Sequence, residues 1–262
     1  MGTIYLVRHG QASFDSADYD HLSDLGRMQA SQLGAWFRAR NIRLHGFFSG
    51  SMNRHLQTAQ AFSETYGVLQ EPVQHSGFNE YDHEAILQAL IGQYADSDAF
   101  EKQVMGNADP RKAFQQIFEK AIARWVSGEH DADYPESWSM FKARVMAALG
   151  SVTAQAMQIR KASASGNTTD RESSNVIVFT SGGPITAIAQ NLLQIPDSTA
   201  FNMNWMITNC SISKLLFGQR GISLASFNEQ AHFEGEISGL LAEQATGLEA
   251  FAGKPNGLIS YR

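Results

Sequence analysis

Cysteine is almost absent from this chain of 262 residues. Cys210 stands alone, so no internal disulfide can form and no cysteine-based metal cluster can be assembled. Cationic residues are also in short supply, with 20 Lys and Arg against 26 Asp and Glu for a formal charge of −6. That balance lacks the basic footprint that holds a nucleic-acid backbone. No apolar run reaches the roughly 18 residues of a membrane span. The N-terminal Met1 to Val7 stretch arrives at Arg8 without the n-region, long apolar run or cleavage site of a secretory signal. These absences predict a cytoplasmic protein without membrane or nucleic-acid partners. What is present is a globular composition, with 43% hydrophobic residues, 18% charged residues, 16 Phe, 7 Tyr and 4 Trp. It excludes a disordered or collagen-like chain and leaves room for one large domain or two small ones.

The order of elements predicts an α/β protein. Thr3 to Val7 is apolar after Thr3 and rich in β-branched and aromatic residues, as expected of a strand buried on both faces, and it stops at Arg8-His9-Gly10. Ser23 is placed to cap a helix over 24–40, where Leu25, Met28, Gln29, Leu33, Trp36 and Phe37 recur at helical spacing. Leu44 to Phe48 reads as a strand, a helix follows Ser49-Gly50-Ser51, and Pro72 to Ser76 reads as a third strand. From Glu84 to about Arg160 the pattern is helical, with aromatic residues at Phe114, Phe118, Trp125, Trp138 and Phe141 that fit helix packing or the lining of a pocket. The Ser- and Thr-rich stretch 161–175 reads as a loop. Asn175 to Thr180 is the strongest strand signal, followed by Ser181-Gly182-Gly183-Pro184 and a helix, with Pro184 in the first turn. Two more strands are predicted at 207–217 and 222–227; 236–257 has no assignable pattern. The expectation is a three-layer α/β/α sandwich with a mostly parallel sheet, one domain over 1–262, and a helical insertion at about 81–165.

Open α/β sheets bind ligands at the carboxyl ends of their strands. Three strand ends would there bring together Arg8, His9, Arg54 and the small-residue turn at 181–183. Two guanidiniums offer bidentate donors to a phosphoryl group, and the Gly182 and Gly183 amides add a helix N-terminus. A histidine within such a clamp can act as a nucleophile. Glu80 can reach the same edge to protonate a leaving oxygen, with Asp82 and Glu84 as competitors for that role. The acidic run 79–84 has no second His-rich segment to complete a metal site. His21, His45, His55, His75 and His130 are scattered and read as structural or exposed, and Cys210 as a small core residue in a strand.

Four segments in order carry a resemblance: Leu6 to Ala12 (LVRHGQA), Leu22 to Ala30 (LSDLGRMQA), Ser51 to Ala59 (SMNRHLQTA) and Gly77 to Glu80, with the strand-turn-helix at 175–193 as a fifth. They resemble the histidine phosphatase superfamily, also called the phosphoglycerate mutase family. The resemblance implies a phosphorylated nucleophile at His9, a phosphate clamp from Arg8 and Arg54, and a proton donor at Glu80; Gln11, Ser181 and Gly182 are the further candidates for phosphate contacts. It implies a lid formed by the insertion and no metal or other cofactor. Asn209 and His232 also lie in family-like segments. One departure stands out. Where the family has Ser-His-Gly-Gly, this chain reads Thr180-Ser181-Gly182-Gly183, so the second catalytic histidine is missing. The implied function is hydrolysis of a small phosphomonoester through phospho-His9. The alternatives are a weak or inactive pseudoenzyme that binds a phosphorylated metabolite or protein, and a mutase-like phosphotransferase. The sequence leaves the substrate and the oligomeric state open, a homodimer included.

Overall fold

The computed structural model describes residues 1–13, 20–92, 110–164, 173–234 and 260. Within them six strands form one sheet in the order β3-β2-β4-β1-β5-β6. In chain order the elements are β1 (Gly2–Arg8), α1 (Asp24–Ala39), β2 (Gly46–Ser49), α2 (Asn53–Tyr66), β3 (Val73–Gln74), α3 (His83–Ile91), α4 (Pro110–Ser127), α5 (Trp138–Ala164), β4 (Asn175–Thr180), α6 (Gly182–Leu193), α7 (Asp197–Asn204), β5 (Ile212–Gly218) and β6 (Gly221–Glu229). Strands β3, β2, β4 and β1 run parallel; β5 and β6 add an antiparallel edge beside β1.

The alternation of side chains along the central strands divides the interior in two. Tyr5, Val7, Phe47, Ile177 and Phe179 pack against Leu33 and Phe37 of α1 and Phe62 of α2. Ile4, Leu6, Phe48, Val176 and Val178 face the other way, toward Leu149 and Val152 of α5 and Ile188 of α6. A sheet covered on both faces needs apolar residues at every central position, which is why β1 and β4 read as unbroken hydrophobic runs. Ser23 caps α1, accepting from the Gly26 amide at 3.1 Å, as its position in the sequence predicts.

Between β3 and β4 the described elements are all helices. Trp125, Trp138 and Phe141 are buried together there, with Trp125 and Trp138 edge to face at 5.1 Å between centroids. Several boundaries differ from the sequence reading: the strand expected at Leu44 to Phe48 is Gly46–Ser49, that expected at 222–227 is Gly221–Glu229, and three further differences have a visible cause or consequence. Strand β3 keeps only two residues, because Ser76–Phe78 turns into a 3₁₀ helix whose start is held by the His75 ring. Helix α5 continues to Ala164, past the expected start of the loop at Lys161. Strand β5 begins at Ile212 instead of Ile207. Residues 207–211 form a turn in which Cys210 takes a left-handed backbone (φ 54°), a conformation that ends a strand. Cys210 is buried, as expected, but in this turn and not in a strand. The stretches 165–172 and 236–257 lie outside the described residues.

Candidate active site

The parallel register sets β1, β4 and β2 side by side, with Arg8 opposite Thr180 and Ser49 opposite Phe179. Their carboxyl ends therefore open onto one edge. There the chain leaves β1 as His9-Gly10, β2 as Gly50-Ser51, and β4 as Ser181-Gly182. The adjacent β1 and β4 continue to opposite sides of the sheet, β1 to β2 and β4 to β5, so this edge is also the topological switch point at which open sheets hold ligands.

Backbone bonds fix the nucleophile candidate from three sides. The His9 amide donates to the Thr180 carbonyl at 2.8 Å. Its carbonyl accepts from Asn209 Nδ2 at 3.1 Å, and the Cys210 amide donates to Arg8 O at 3.0 Å. The 207–211 turn that displaces the start of β5 is thus the brace of the β1 terminus. The Gly10 amide donates to Thr58 Oγ1 at 3.0 Å, tying the same turn to α2. Ser260 donates to Asn209 Oδ1 at 2.9 Å and accepts from Gln29 Nε2 at 2.8 Å, while Gln29 Oε1 accepts from the Gln11 amide.

The ring of His9 is just as determined. Nδ1 lies 2.7 Å from the Gly10 carbonyl oxygen. A carbonyl only accepts, so Nδ1 carries the proton and Nε2 keeps its lone pair. His9 is 5% exposed. Burial, then the charges of Arg54 and Arg8, hold its pKa well below the usual histidine value. The ring is neutral, and its unprotonated nitrogen is in the tautomer a nucleophile needs.

Arg8 and Arg54, 4% and 6% exposed, come from different strand ends to the same cavity. Arg8 Nη1 donates to the Ile207 carbonyl. Arg54, in the first turn of α2, pairs with Asp20 at 2.8 Å, and Asp20 also accepts from the Asn53 amide at 2.8 Å. A carboxylate thus satisfies the N-terminus of α2 and holds one side of the Arg54 guanidinium. Asp20 carried no motif signal in the sequence. Glu80 lies at the N-terminus of α6, where both carboxyl oxygens accept from the Gly183 amide at 3.1 and 3.3 Å. Only a glycine permits that approach, since a Cβ at position 183 would stand 2.1 Å from Glu80 Oε1. The Gly183 amide, expected to face phosphate, is engaged by Glu80.

Of the three competing acids, Glu80 alone lines the cavity with His9. Asp82 instead caps α3, accepting from the Ala85 amide at 2.9 Å, and Glu84 is exposed in the first turn of that helix. Gln11 accepts from Ser23 Oγ at its side-chain Oε1, at 3.0 Å. Gly182 faces Asn204, whose Oδ1 would stand 2.5 Å from an added Cβ. His232 packs against Trp36 and Phe233. The cavity measures about 310 Å³; beyond Arg8, His9, Arg54 and Glu80 its walls are Tyr81, Phe114, Phe118 and Trp205, with His83 and Gln115. Phe114 and Phe118 thus prove to be pocket residues, while Trp125, Trp138 and Phe141 are core. Among the described residues no group of three or more His, Cys, Asp or Glu could hold a metal ion.

Sequence reasoning overlooked His55, which it grouped with structural or exposed histidines. The other four are indeed partly buried or exposed away from the cavity. His55 is fully buried beside the site: its ring centroid lies 5.7 Å from that of His9, and its Nε2 lies 2.6 Å from Ser181 Oγ. The available signal was its place directly after Arg54, in the helical turn that opens onto the same edge of the sheet.

A family model described as histidine phosphatase superfamily (branch 1) matches residues 4–89 and 105–230. The chain belongs to that superfamily. No curated protein matches it. Among solved structures, a phosphoglycerate mutase from Bacillus anthracis is 16% identical with a TM-score of 0.58, covering 88% of this chain and 94% of its own. A phosphoserine phosphatase (H9A mutant) from Entamoeba histolytica in complex with phosphoserine is 18% identical, with a TM-score of 0.51 and coverages of 88% and 99%. A mycobacterial glucosyl-3-phosphoglycerate phosphatase with VO3 is 18% identical, with a TM-score of 0.56 and coverages of 88% and 100%. At these identities the likeness is one of fold. The histidine phosphatase fold accounts for the mixed sheet and the helices on both of its faces. Among the described residues no helix is long and apolar enough to cross a membrane.

Proposed function

We propose that this protein is a phosphatase that hydrolyses a small phosphomonoester through a phosphohistidine at His9. The observation that carries the reading is the His9 tautomer: Nδ1–H is committed to the Gly10 carbonyl, which leaves Nε2 as a buried, neutral nucleophile beside two guanidiniums. Nε2 attacks phosphorus, the bond to the leaving oxygen breaks, and Glu80 gives that oxygen its proton. The carboxylate so formed takes a proton from water as the water attacks phosphorus, the P–N bond breaks, and inorganic phosphate and neutral His9 are released. Arg8 and Arg54 balance the phosphoryl charge throughout.

Hydrolysis is favoured over transfer to a second acceptor by the walls of the cavity. They are aromatic at Tyr81, Phe114, Phe118 and Trp205, and among the described residues no lysine and no arginine besides Arg8 and Arg54 lines them. An acidic phosphosugar that must be retained and turned over would need further cations. We assign the protein to the cytoplasm on the same reading, since the buried Cys210 has no disulfide to maintain.

The test is turnover of p-nitrophenyl phosphate and a panel of phosphomonoesters between pH 5 and 7.5, beside His9→Ala. Turnover lost in the variant, with a stoichiometric acid-labile phosphoprotein in the wild type during turnover, supports the reading. Phosphate-dependent thermal stabilisation with no turnover of any ester would assign the site to binding instead.

A further inference from the structure

Ser181 begins α6 at a position where a serine hydroxyl ordinarily accepts from its own helix's amides. It makes no such cap. Its Oγ is 2.6 Å from His55 Nε2, and both residues are fully buried. The two come from different strand ends, Ser181 after β4 and His55 after β2, and meet beside His9, whose own amide is bonded to Thr180. A buried serine–imidazole pair next to a candidate nucleophile calls for a chemical account.

The direction of the bond follows from what lies behind the His55 ring. Nδ1 is buried and, among the described residues, has no hydrogen-bond partner. It faces Gly50 so closely that a Cβ there would stand 2.2 Å from it. A proton on Nδ1 would be a buried N–H aimed at a Cα, which native structures rarely tolerate, whereas an unpaired acceptor is tolerated more often. The proton is therefore on Nε2, and Nε2–H donates to Ser181 Oγ. With that acceptance fixed, the serine's own hydrogen is the one left to give.

We infer that His55 is a positioning residue that orients the Ser181 hydroxyl as a donor to the phosphoryl group on His9. The pair thereby supplies, from two strand ends, a donor to the phosphoryl group. No proton changes owner: Nε2–H stays on His55, and the hydroxyl hydrogen stays on Ser181 while bonded to a phosphoryl oxygen. Burial, then the Arg54 charge, holds His55 neutral, so the pair contributes directed dipoles in a water-excluded place and not a second positive charge. The inference rests on the phosphatase reading for its location and on the His55–Ser181 bond for its substance.

The experiment compares His55→Gln with His55→Asn. Glutamine carries its amide nitrogen where His55 has Nε2, and asparagine carries it where His55 has Nδ1. His55→Gln is expected to keep kcat/KM within about tenfold of wild type, and His55→Asn to lose on the order of a hundredfold or more, in kcat and not KM, the loss typical of one missing oxyanion donor. Ser181→Ala should lose as much, and Ser181→Ala with His55→Asn no more than either alone. Orthovanadate, which resembles the transferring phosphoryl group, should bind more weakly to the Ala and Asn variants, with the affinity for inorganic phosphate little changed. Equal activity in His55→Gln and His55→Asn, or losses that multiply in full in the double variant, would overturn the inference. If the wild type hydrolyses no ester, the phosphatase reading fails, and the vanadate titrations of the same variants still decide whether the pair acts on a bound oxyanion. Thermal melts check that each variant is folded. Should the truncated variants unfold, the Gln and Asn pair decides alone.

Discussion

Replacing Gly183 with alanine moves Glu80 without touching Glu80 itself. The new Cβ would lie 2.1 Å from Oε1, and ordinary contact begins near 3.4 Å, so the carboxyl must retreat by about 1.3 Å; Tyr81 Cδ1, at 2.9 Å, narrows its path. The bonds from the Gly183 amide at 3.1 and 3.3 Å break with that movement. Displacing a catalytic group by about 1 Å costs on the order of a hundredfold in rate, which is about 2.7 kcal/mol of transition-state stabilisation. The loss should fall where a proton is needed. An alkyl phosphate leaves as a strongly basic alkoxide and should lose about a hundredfold in kcat/KM. p-Nitrophenyl phosphate leaves as a stabilised phenolate and should lose about threefold or less. The parameter must be kcat/KM, because it reports the steps up to His9 phosphorylation, whereas kcat would also sense the water attack in which Glu80 serves again as base. Alanine favours the helix by about 1 kcal/mol and crowds the site by about 1–3 kcal/mol, so a thermal melt confirms folding. Equal losses on the two substrates, or an alkyl phosphate rate within twofold of wild type, would refute Glu80 as the proton donor.

Two further expectations concern charge. Burial, with Arg40 adding to it, pushes the His232 pKa down to about 3. A histidine lowered in the fold leaves the unfolded chain binding more protons below its ordinary pKa near 6.5, so stability is full above that pH and drains as pH falls toward 3. Between pH 6.5 and 5 this group removes about 2 kcal/mol; His9 and His55, lowered in the same direction, act in the same window. Denaturant titrations of His232→Leu at both pH values should show about that much less acid loss than wild type, and an undiminished loss contradicts the assignment. Asp20 shares the Arg54 guanidinium at 2.8 Å and is 28% exposed in its side chain. Asp20→Asn keeps an oxygen for the α2 amides and removes the competing charge, so inorganic phosphate should bind several-fold more tightly by calorimetry. Weaker binding would mean that Asp20 acts by orienting Arg54.

The unevenness of the sequence reading has a physical pattern. Arg8 and His9 were legible because an apolar run buried on both faces stops at them, and Arg54 because it lies at fixed spacing after the next strand. Glu80 was legible only as one of three acids; the 3₁₀ turn at Ser76–Phe78 and the cap made by Asp82 separate it from its neighbours. The brace formed by Asn209 and Cys210 was hidden, since its left-handed residue lies within a stretch that reads as strand.

The sequence by itself determined the alternation of strands and helices, the helical middle, and the choice of His9 as candidate nucleophile with Arg8 and Arg54 as its candidate clamp, all of which follow from hydrophobic period and from motifs confined to a few neighbouring residues. Tertiary structure alone decided which groups stand beside that nucleophile. The bond of His55 to Ser181 spans 126 positions, that of Glu80 to Gly183 spans 103, and the hold of Asn209 on His9 spans 200. Local spacing carries no record of such distances; they are set by the parallel register that places β2, β4 and β1 edge to edge. The position where the resemblance expects a second histidine is the plainest instance. Read along the chain, Ser181 is a loss at one position, and only the folding of α2 against β4 brings an imidazole to its side.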